Sequence, residues 1–265
     1  MTNLMRQFSI PTVKDPRWPV FVFLFGYSIL AVNKSFTYTQ TPVQLAAIVA
    51  TCLVLDLFLE YLFHRQVRFP LSGFITALAA FVLVDTLEIW AYATVGALAI
   101  LSKHLITAEK RHIFNPSIFG LTVSLLFLPD YVVSNPASRW GASTQFFLFF
   151  LISGLFIVYR AKRLALSLSY VVTFYVGTFV QSLVLGESFL VLAAPMTGAA
   201  YQYHAFYMIS DPATTPSKPI NQIGFGVLLG ILDKSLRCFE LKQSAIYSLF
   251  ILCALYALIR EKRVS

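Results

Sequence analysis

Apolar runs separated by short polar turns make up almost the whole chain, and this pattern limits what it can fold into. A helix needs about 20 apolar residues to cross the hydrocarbon of a bilayer, and shorter runs are typical of tilted or broken segments. The chain has 58% hydrophobic and only 12% charged residues, more apolar surface than a water-soluble core of 265 residues can bury. We therefore expect an all-α integral membrane protein. The sequence predicts ten transmembrane or half-membrane segments, at roughly 18–33, 42–63, 70–84, 87–106, 114–129, 144–159, 164–185, 188–209, 220–233 and 243–259.

The distribution of lysine and arginine predicts the orientation of these segments. Lys and Arg near the ends of membrane helices are enriched on the cytoplasmic side. With the N-terminus inside and ten crossings, 15 of the 20 Lys and Arg residues lie inside. This predicts a multi-pass protein of the inner (plasma) membrane with a cytoplasmic segment 1–17, one membrane domain 18–259 and a cytoplasmic tail 260–265. It also explains the net charge of +8 without a nucleic-acid partner. The five outside residues are Lys34, Arg139, Lys234, Arg237 and Lys242.

Several predicted segments are short and interrupted by proline or glycine. The third begins with Pro70 and contains Gly73, and the eighth contains Pro195 and Gly198. Paired short, Gly/Pro-interrupted segments in the two halves of a membrane protein are typical of an inverted repeat with a site near the midplane. We therefore expect two inverted five-helix halves, roughly 18–129 and 144–259.

Two proline turns, Phe114-Asn115-Pro116 and Ser210-Asp211-Pro212, lie at the ends of apolar runs in the two halves. Proline suits the first position of a helix, and Asn or Asp before it can cap the free N–H groups. We expect each turn to begin a helix, whose N–H donors and positive dipole end favour an anionic or carbonyl-bearing ligand. The alternative is that the turns only satisfy backbone groups where the chain re-enters the bilayer.

Three ionisable residues, Asp56, Glu60 and His64, lie at helical spacing in the second segment. Acids at membrane depth are costly and normally face a bundle interior or a wet cavity. Asp56 and Glu60 are therefore candidates for a cation or proton path. The alternative is that Glu60 and His64 pair with nearby arginines at the interface, while Asp56 bonds a neighbouring helix.

An aromatic cluster surrounds His204 in the eighth segment, with Tyr201, Tyr203 and Tyr207. It is a candidate for stacking on a planar ring, or alternatively part of the aromatic belt near lipid headgroups. The three cysteines lack the spacing of a metal site, and no metal is predicted. No hydrolase or nucleotide-binding motif is present in the sequence.

The order of four motifs resembles a known family. Pro70–Leu78, His112–Gly120, Met208–Pro216 and Gly224–Gly226 follow one another as in the RnfD/NqrB family. Its members are membrane components of the Rnf electron-transport complex and of the sodium-pumping NADH:quinone reductase. The resemblance covers about residues 50–235, and the chain is similar to the small stand-alone relatives of that family. It implies a ten-helix inverted-repeat fold related to urea transporters, and electron transfer through flavins coupled to sodium or proton movement.

Members of that family bind FMN covalently through a threonine in an Asp-x-x-Ser/Thr-Gly-Ala-Thr motif. Here Gly141-Ala142 is retained, but Ser143 replaces the threonine, Ala137 the aspartate and Trp140 the Ser/Thr. Covalent attachment is therefore not expected to follow the family pattern, with Ser143 and Thr144 the candidate acceptors, and FMN or riboflavin is expected to bind non-covalently. The other candidate cofactor-binding residues are Thr76, Asn115, Pro116, Tyr203, His204, Asp211 and Pro212.

Three functions remain open from the sequence. The first is a flavin-binding membrane component of an oxidoreductase or translocase complex, with the bilayer and other redox subunits as partners. The second is a solute or ion transporter on the same scaffold. The third is a non-catalytic assembly subunit that docks a redox partner. In the transporter hypothesis, the cavity is lined by Asp56, Thr76, Asn115, Thr197 and Asp211.

Overall fold

The structure, a computed structural model, describes residues 11–12, 15–32, 40–65, 68–109, 111–134 and 144–261. Within these ranges the chain is almost entirely helical, which confirms the all-α prediction. The strands are β1 (Thr107–Ala108) and β2 (Arg111–His112), which pair with each other. The helices are α1 (Arg17–Ala31), α2 (Pro42–His64), α3 (Leu71–Leu83), α4 (Ile89–Leu105), α5 (Pro116–Phe127), α6 (Thr144–Arg160), α7 (Leu164–Leu185), α8 (Phe189–Thr197), α9 (Ala199–Tyr203), a π-helix π1 (His204–Met208), α10 (Pro219–Cys238) and α11 (Ser244–Glu261).

The chain forms two compact units. Unit 1 takes the described residues within Met1–Thr107 and Pro116–Asn135, and unit 2 takes those within Ala108–Asn115 and Pro136–Ser265. The short segment 108–115 thus packs with unit 2 although it precedes α5 of unit 1. The inverted relation of the predicted halves stays a prediction.

In unit 1, α2 and α4 pack side by side and run parallel. Helix α2 begins with Pro42 after a capping box, in which Thr41 and Gln44 exchange side-chain and backbone hydrogen bonds. Gly96 of α4 lies against Cys52, and further along both helices Lys103 reaches Asp56. Contacts that advance in the same direction on both helices define a parallel pair, so α3 between them returns in the opposite sense.

Unit 2 contains a second parallel pair, α7 and α10. Gly226 lies against Leu166, Gly230 against Thr173, and Gly177 against Lys234. These contacts place residue 233 level with the middle of α7. At Gly226 a β-carbon would come within 2.5 Å of the Leu166 carbonyl oxygen, so only glycine allows this approach of the two backbones.

The eighth predicted segment is broken into three pieces, α8, α9 and π1, as Pro195 and Gly198 predict. Pro195 lies near the end of α8, where it cannot continue the hydrogen-bond ladder, and Gly198 is extended between α8 and α9. A π-helical turn inside a helix is uncommon and frequently marks a functional site. His204 is the first residue of π1.

One of the two proline turns begins a helix and the other does not. Helix α5 begins at Pro116, as predicted. The prediction that Asp211-Pro212 begins a helix is wrong, because α10 begins only at Pro219. Asp211 instead closes a local turn, in which its carboxylate accepts the Ala213 N–H at 3.0 Å. Pro219 also holds Lys218 in an extended conformation, which keeps the helix from starting earlier.

Two of the described helices, α2 and α7, are long and apolar enough to cross a membrane by length and composition. The remaining apolar helices are shorter, with 10–17 residues each. The structure therefore establishes a predominantly helical chain with two helices of membrane-spanning character.

Candidate functional site

The most polar buried place in unit 2 surrounds Asp233 on α10. The Asp233 side chain is 0% exposed, level with the middle of α7. Its Oδ2 accepts a hydrogen bond from the Tyr170 hydroxyl of α7 at 2.7 Å, and its Oδ1 accepts one from the Ser244 hydroxyl of α11 at 2.6 Å. Tyr201 of α9 donates more weakly to Oδ1, at 3.4 Å. The carboxylate is thus held by hydroxyl groups from three other helices.

The hydrogen-bond chain continues away from the carboxylate. Tyr201 and Ser244 lie 3.3 Å apart, and the Arg237 guanidinium donates to the Tyr201 hydroxyl. Within the described residues no ion pair reaches Asp233, and the hydroxyl of Tyr201 lies between Arg237 and this carboxylate. We call Asp233, Tyr170, Tyr201, Ser244, Arg237 and His204 the Asp233 cluster.

His204 lies at the edge of this cluster, with its ring centre 5.4 Å from that of Tyr170. It is buried, and neither of its ring nitrogens has a hydrogen-bond partner among the described residues. The side-chain oxygen of Gln202 is buried without a partner in the same way. Because buried polar groups are normally satisfied, these atoms are where water or a ligand group would bind. Sequence reasoning singled out His204 and Tyr201 but missed the acid beside them.

The predicted ion-path residue Asp56 has a different environment in unit 1. Its Oδ1 accepts from Lys103 Nζ at 2.6 Å and from His104 Nε2 at 2.8 Å, both on α4. A carboxylate that faces two basic groups is neutralised where it lies. This geometry matches the alternative that Asp56 bonds a neighbouring helix.

Glu60 lies one turn further along α2, nearer the surface. Its carboxylate is 3.5 Å from His64 and 3.6 Å from Arg68. This is the interfacial pairing that the sequence offered as an alternative to an ion path. A role of Asp56 and Glu60 in ion movement stays a prediction.

The two proline turns come together within unit 2. The His112 ring donates to Asp211 Oδ2 at 3.0 Å, and the Asn115 amide donates to the Met208 carbonyl at 3.3 Å. The Phe114 ring stacks on Phe250 of α11, with ring centres 4.5 Å apart. Segment 108–115 is therefore held by hydrogen bonds to Asp211 and to Met208, the last residue of π1, and to α11 by an aromatic contact.

Arg163, between α6 and α7, anchors the same loop from the other side. It is buried and donates to Thr215 Oγ1 at 3.0 Å and to the Pro212 carbonyl at 3.4 Å. Burial lowers the pKa of Arg163, against the opposing charge of Asp211. Burial raises the pKa of the Asp211 carboxyl, but the His112 hydrogen bond and charge outweigh it, so the pKa lies below its ordinary value. The sequence offered Arg163 only as a topology marker.

The remaining predicted cofactor residues are distributed over both units. Thr76 is buried in unit 1, where its carbonyl accepts from Ser117 at 3.2 Å. Tyr203 in unit 2 is buried and stacks on Tyr207, with centres 5.1 Å apart. Both rings are interior, so they do not form a lipid-facing belt. Thr144 is the first residue of α6 but its side chain is not described, and Ser143 lies outside the described residues.

These rings also bear on the predicted flavin. One face of Tyr203 is already covered by Tyr207, and the grooves described on unit 2 are lined by other residues. Tyr203 is buried and lines neither of these two grooves, and the binding of a flavin stays a prediction. The unpartnered nitrogens of His204 are the feature that fits a polar ligand edge.

Asp233 and Lys234 were missed because the predicted ninth segment ended at residue 233 and gave Lys234 and Arg237 to an outside loop. Helix α10 continues to Cys238 and therefore includes Asp233, Lys234 and Arg237. Asp233 and Lys234 are buried. No charge rule applied to the sequence alone shows that hydroxyls of α7 and α11 lie within hydrogen-bond distance of this acid.

No family model matches this chain, and no curated protein is significantly similar to it.

Proposed function

We propose that the chain is a multi-pass membrane protein with ten helical segments in two inverted halves. The support is the surface of its longest helices, which is apolar although exposed. Only 28% of the apolar 18-residue stretch of α2 and 17% of that of α7 is buried. The core helix of a soluble protein is, in contrast, mostly buried. The helices of each parallel pair, α2 with α4 and α7 with α10, run in the same direction. The chain between them must therefore run back in the opposite direction. The exposed side chains of α7 include Leu168, Val172, Val176, Phe179, Val180, Leu183 and Val184.

Within that membrane fold we propose a component of an electron-transport complex, resembling the RnfD/NqrB family, whose own part is to carry protons. The observation that supports this role is Asp233, a fully buried acid held only by hydroxyl donors. Intramembrane acids without a counter-ion are rare and mark ion or proton pathways. Asp56 supports this role less well than Asp233 does, because its carboxylate lies 2.6 Å from the Lys103 ammonium.

The chemistry of the Asp233 cluster favours a proton over a metal cation. Tyr and Ser hydroxyls can donate and accept at once, so Tyr170, Asp233, Ser244 and Tyr201 form a continuous hydrogen-bonded chain. A proton that arrives at the carboxylate can be passed along by reorientation of these hydroxyls. His204 lies beside Tyr170 with unpartnered nitrogens and provides the next acceptor once a water bridges the gap.

Proton movement can be tested in liposomes that contain the purified protein and a pH-sensitive dye, under an imposed potassium diffusion potential. We expect proton uptake with the native chain and its loss in Asp233→Asn, which keeps the size of the side chain but removes its titration. Asp130→Asn, the same change at an exposed acid, is the matched control. Uptake that is unchanged in Asp233→Asn would show that this cluster does not carry the proton.

The flavin expected from the resemblance is tested separately by the absorbance of detergent-purified protein. Flavin bands that disappear from the protein after denaturation and appear in the supernatant indicate non-covalent FMN or riboflavin. Colour that stays with the denatured chain indicates covalent attachment. A colourless protein that still moves protons favours the transporter alternative on the same scaffold.

A further inference from the structure

A groove on the exposed side of unit 2 runs between α7 and α10. Its volume is about 470 Å³, many times the roughly 30 Å³ that one water occupies in the liquid. Val172 and Val176 of α7 and Ile231 of α10 line it and are more than half exposed. Gly177 and Gly230 also line the groove. The groove is therefore an elongated apolar surface between two neighbouring helices.

One basic residue, Lys234, lies in the wall of this groove. It is 7% exposed, and its ammonium lies 4.2 Å from the centre of the Phe174 ring. Its one hydrogen-bond acceptor is Gln181, at 3.4 Å. In the described part of the chain no carboxylate lies within ion-pair distance of this ammonium. Because an ammonium has three N–H donors, most of its hydrogen-bonding capacity remains for an anion.

The position of the ammonium along the helices indicates the depth of that anion. The Cβ, Cγ and Cδ atoms of Lys234 lie beside Gly177, and its Nζ extends to Gln181. Gln181 lies one turn before α7 ends at Leu185. One helical turn is about 5.4 Å, so the charge lies close to the end of α7. Lysine side chains in membrane proteins extend in this way toward the headgroup region. The apolar part of the groove continues from there back along α7.

We propose that this groove binds an anionic phospholipid, with an acyl chain along Val172, Val176 and Ile231 and a phosphate oxygen that accepts from Lys234. The apolar wall and the cation at its end match the two parts of such a molecule. A diacylglycerol, which has acyl chains but no phosphate, would leave the ammonium without an anion, and free phosphate would leave the groove empty. This inference does not depend on proton movement by Asp233.

Cys238 provides a direct readout of occupancy. It lines the same groove and is exposed, whereas the other two cysteines, Cys52 and Cys253, are buried. In dodecyl maltoside, a water-soluble maleimide should label it more slowly as phosphatidylglycerol is added. Diacylglycerol and inorganic phosphate, at the same concentrations, should leave the labelling rate unchanged.

Two variants separate the charge from the groove. Lys234→Gln should weaken phosphatidylglycerol protection about tenfold, through loss of one charge-assisted hydrogen bond. Lys242→Gln, an exposed lysine in the turn after α10, is the control and should behave as the native chain. Val176→Trp fills the groove from its exposed face without touching the charge, and should abolish the protection even if Lys234→Gln fails to fold.

Three results would overturn the inference. Equal protection by diacylglycerol would remove the role of Lys234, and equal protection by inorganic phosphate would remove the role of the groove. Slow labelling that depends on protein concentration, with a dimer in native mass spectra and no effect of lipid, would show that a second copy covers the groove. None of these readouts involves flux, so they leave the proposed proton function to its own test.

Discussion

Both units are organised on a parallel pair of helices with one buried acid between them, yet the two acids are held in opposite ways. In unit 1 the acid is Asp56, on the first helix of its pair, and two basic groups of the second helix neutralise it. In unit 2 the acid is Asp233, on the second helix of its pair, and it meets only hydroxyls. The difference separates a carboxylate that ties helices together from the one that we propose as a proton carrier.

The largest effect should come from breaking the ion pair between Asp56 and Lys103 in unit 1. Asp56→Asn leaves the Lys103 ammonium without its partner in a largely buried position, where its side chain is 16% exposed. Removing one partner of a buried ion pair costs about 3–5 kcal/mol. The free energy of unfolding in mixed micelles, followed by circular dichroism, measures this loss.

The double variant Asp56→Asn, Lys103→Met is the control, because it removes both charges and should recover much of the stability. A single variant as stable as the native chain would mean that Asp56 is not paired as described.

The close approach of α7 and α10 provides the second test. Gly226→Ala puts a β-carbon against the Leu166 carbonyl and the Tyr170 backbone nitrogen, which cannot move independently. Gly96→Ala in unit 1 comes nearest to side-chain atoms, with Cys52 Sγ and Ile48 Cγ1 both at 2.9 Å, whereas the nearest backbone atom, the Ile48 carbonyl oxygen, is 3.5 Å away. We expect about 1–3 kcal/mol of destabilisation at Gly226 and less at Gly96.

Gly224→Ala serves as the control within α10, since its added β-carbon meets nothing within 4 Å. It should be neutral or stabilise by up to about 1 kcal/mol, as alanine favours a helix over glycine. If all three variants unfold at the same midpoint, the close packing of unit 2 is not as described.

For the Asp233 cluster we expect the opposite, a small loss of stability and a large loss of function. Asp233→Asn keeps an acceptor for Tyr170 and places an amide where Ser244 can accept, so we expect a loss of only about 1 kcal/mol in stability. Its proton uptake in liposomes should nevertheless disappear. Asp56→Asn, measured on the fraction that remains folded, should still take up protons. If Asp56→Asn abolished proton uptake and Asp233→Asn did not, Asp56 would be the proton carrier instead of Asp233.

The smallest effect concerns the joined turns and appears at acidic pH. Because the pKa of Asp211 in the folded chain lies below its ordinary value, its stabilising contribution is complete above the unfolded pKa, about 3.9. The contribution is lost as the pH falls through the lower, folded pKa. Asp211→Asn should therefore differ from the native chain near pH 6 by about 1 kcal/mol or less and converge with it in acid.

Unfolding midpoints of both proteins across this pH range check that prediction, with Asp130→Asn as the exposed control. A difference that grows in acid would mean that His112 does not stabilise the ionised carboxylate.

The features that the sequence predicted correctly are those fixed by neighbouring residues. Pro116 begins a helix because proline suits that position, and Pro195 with Gly198 breaks the eighth segment because both act on their own backbone. The prediction for Asp211-Pro212 was wrong because Pro219, several residues later, decides where α10 begins.

The site was less accessible to sequence reasoning, because its partners are distant in the chain. Asp233 and Tyr170 are separated by 63 residues, and the proximity of Asp233 to Lys234 and Arg237 resembled the charged end of a helix. The tyrosines and His204 were recognised as a polar aromatic cluster, but the acid that organises them becomes visible only when α7 and α10 pack.

The attachment of segment 108–115 to unit 2 also determines when this part of the chain can fold. His112 leaves the ribosome 99 residues before Asp211, its partner. At about 5–20 residues per second, roughly 5–20 s pass before the pair can form. The packing partner of Phe114, Phe250, is made later still. A nascent chain stalled before α11 would therefore contain Asp211 for His112 but would still lack Phe250, on which Phe114 stacks.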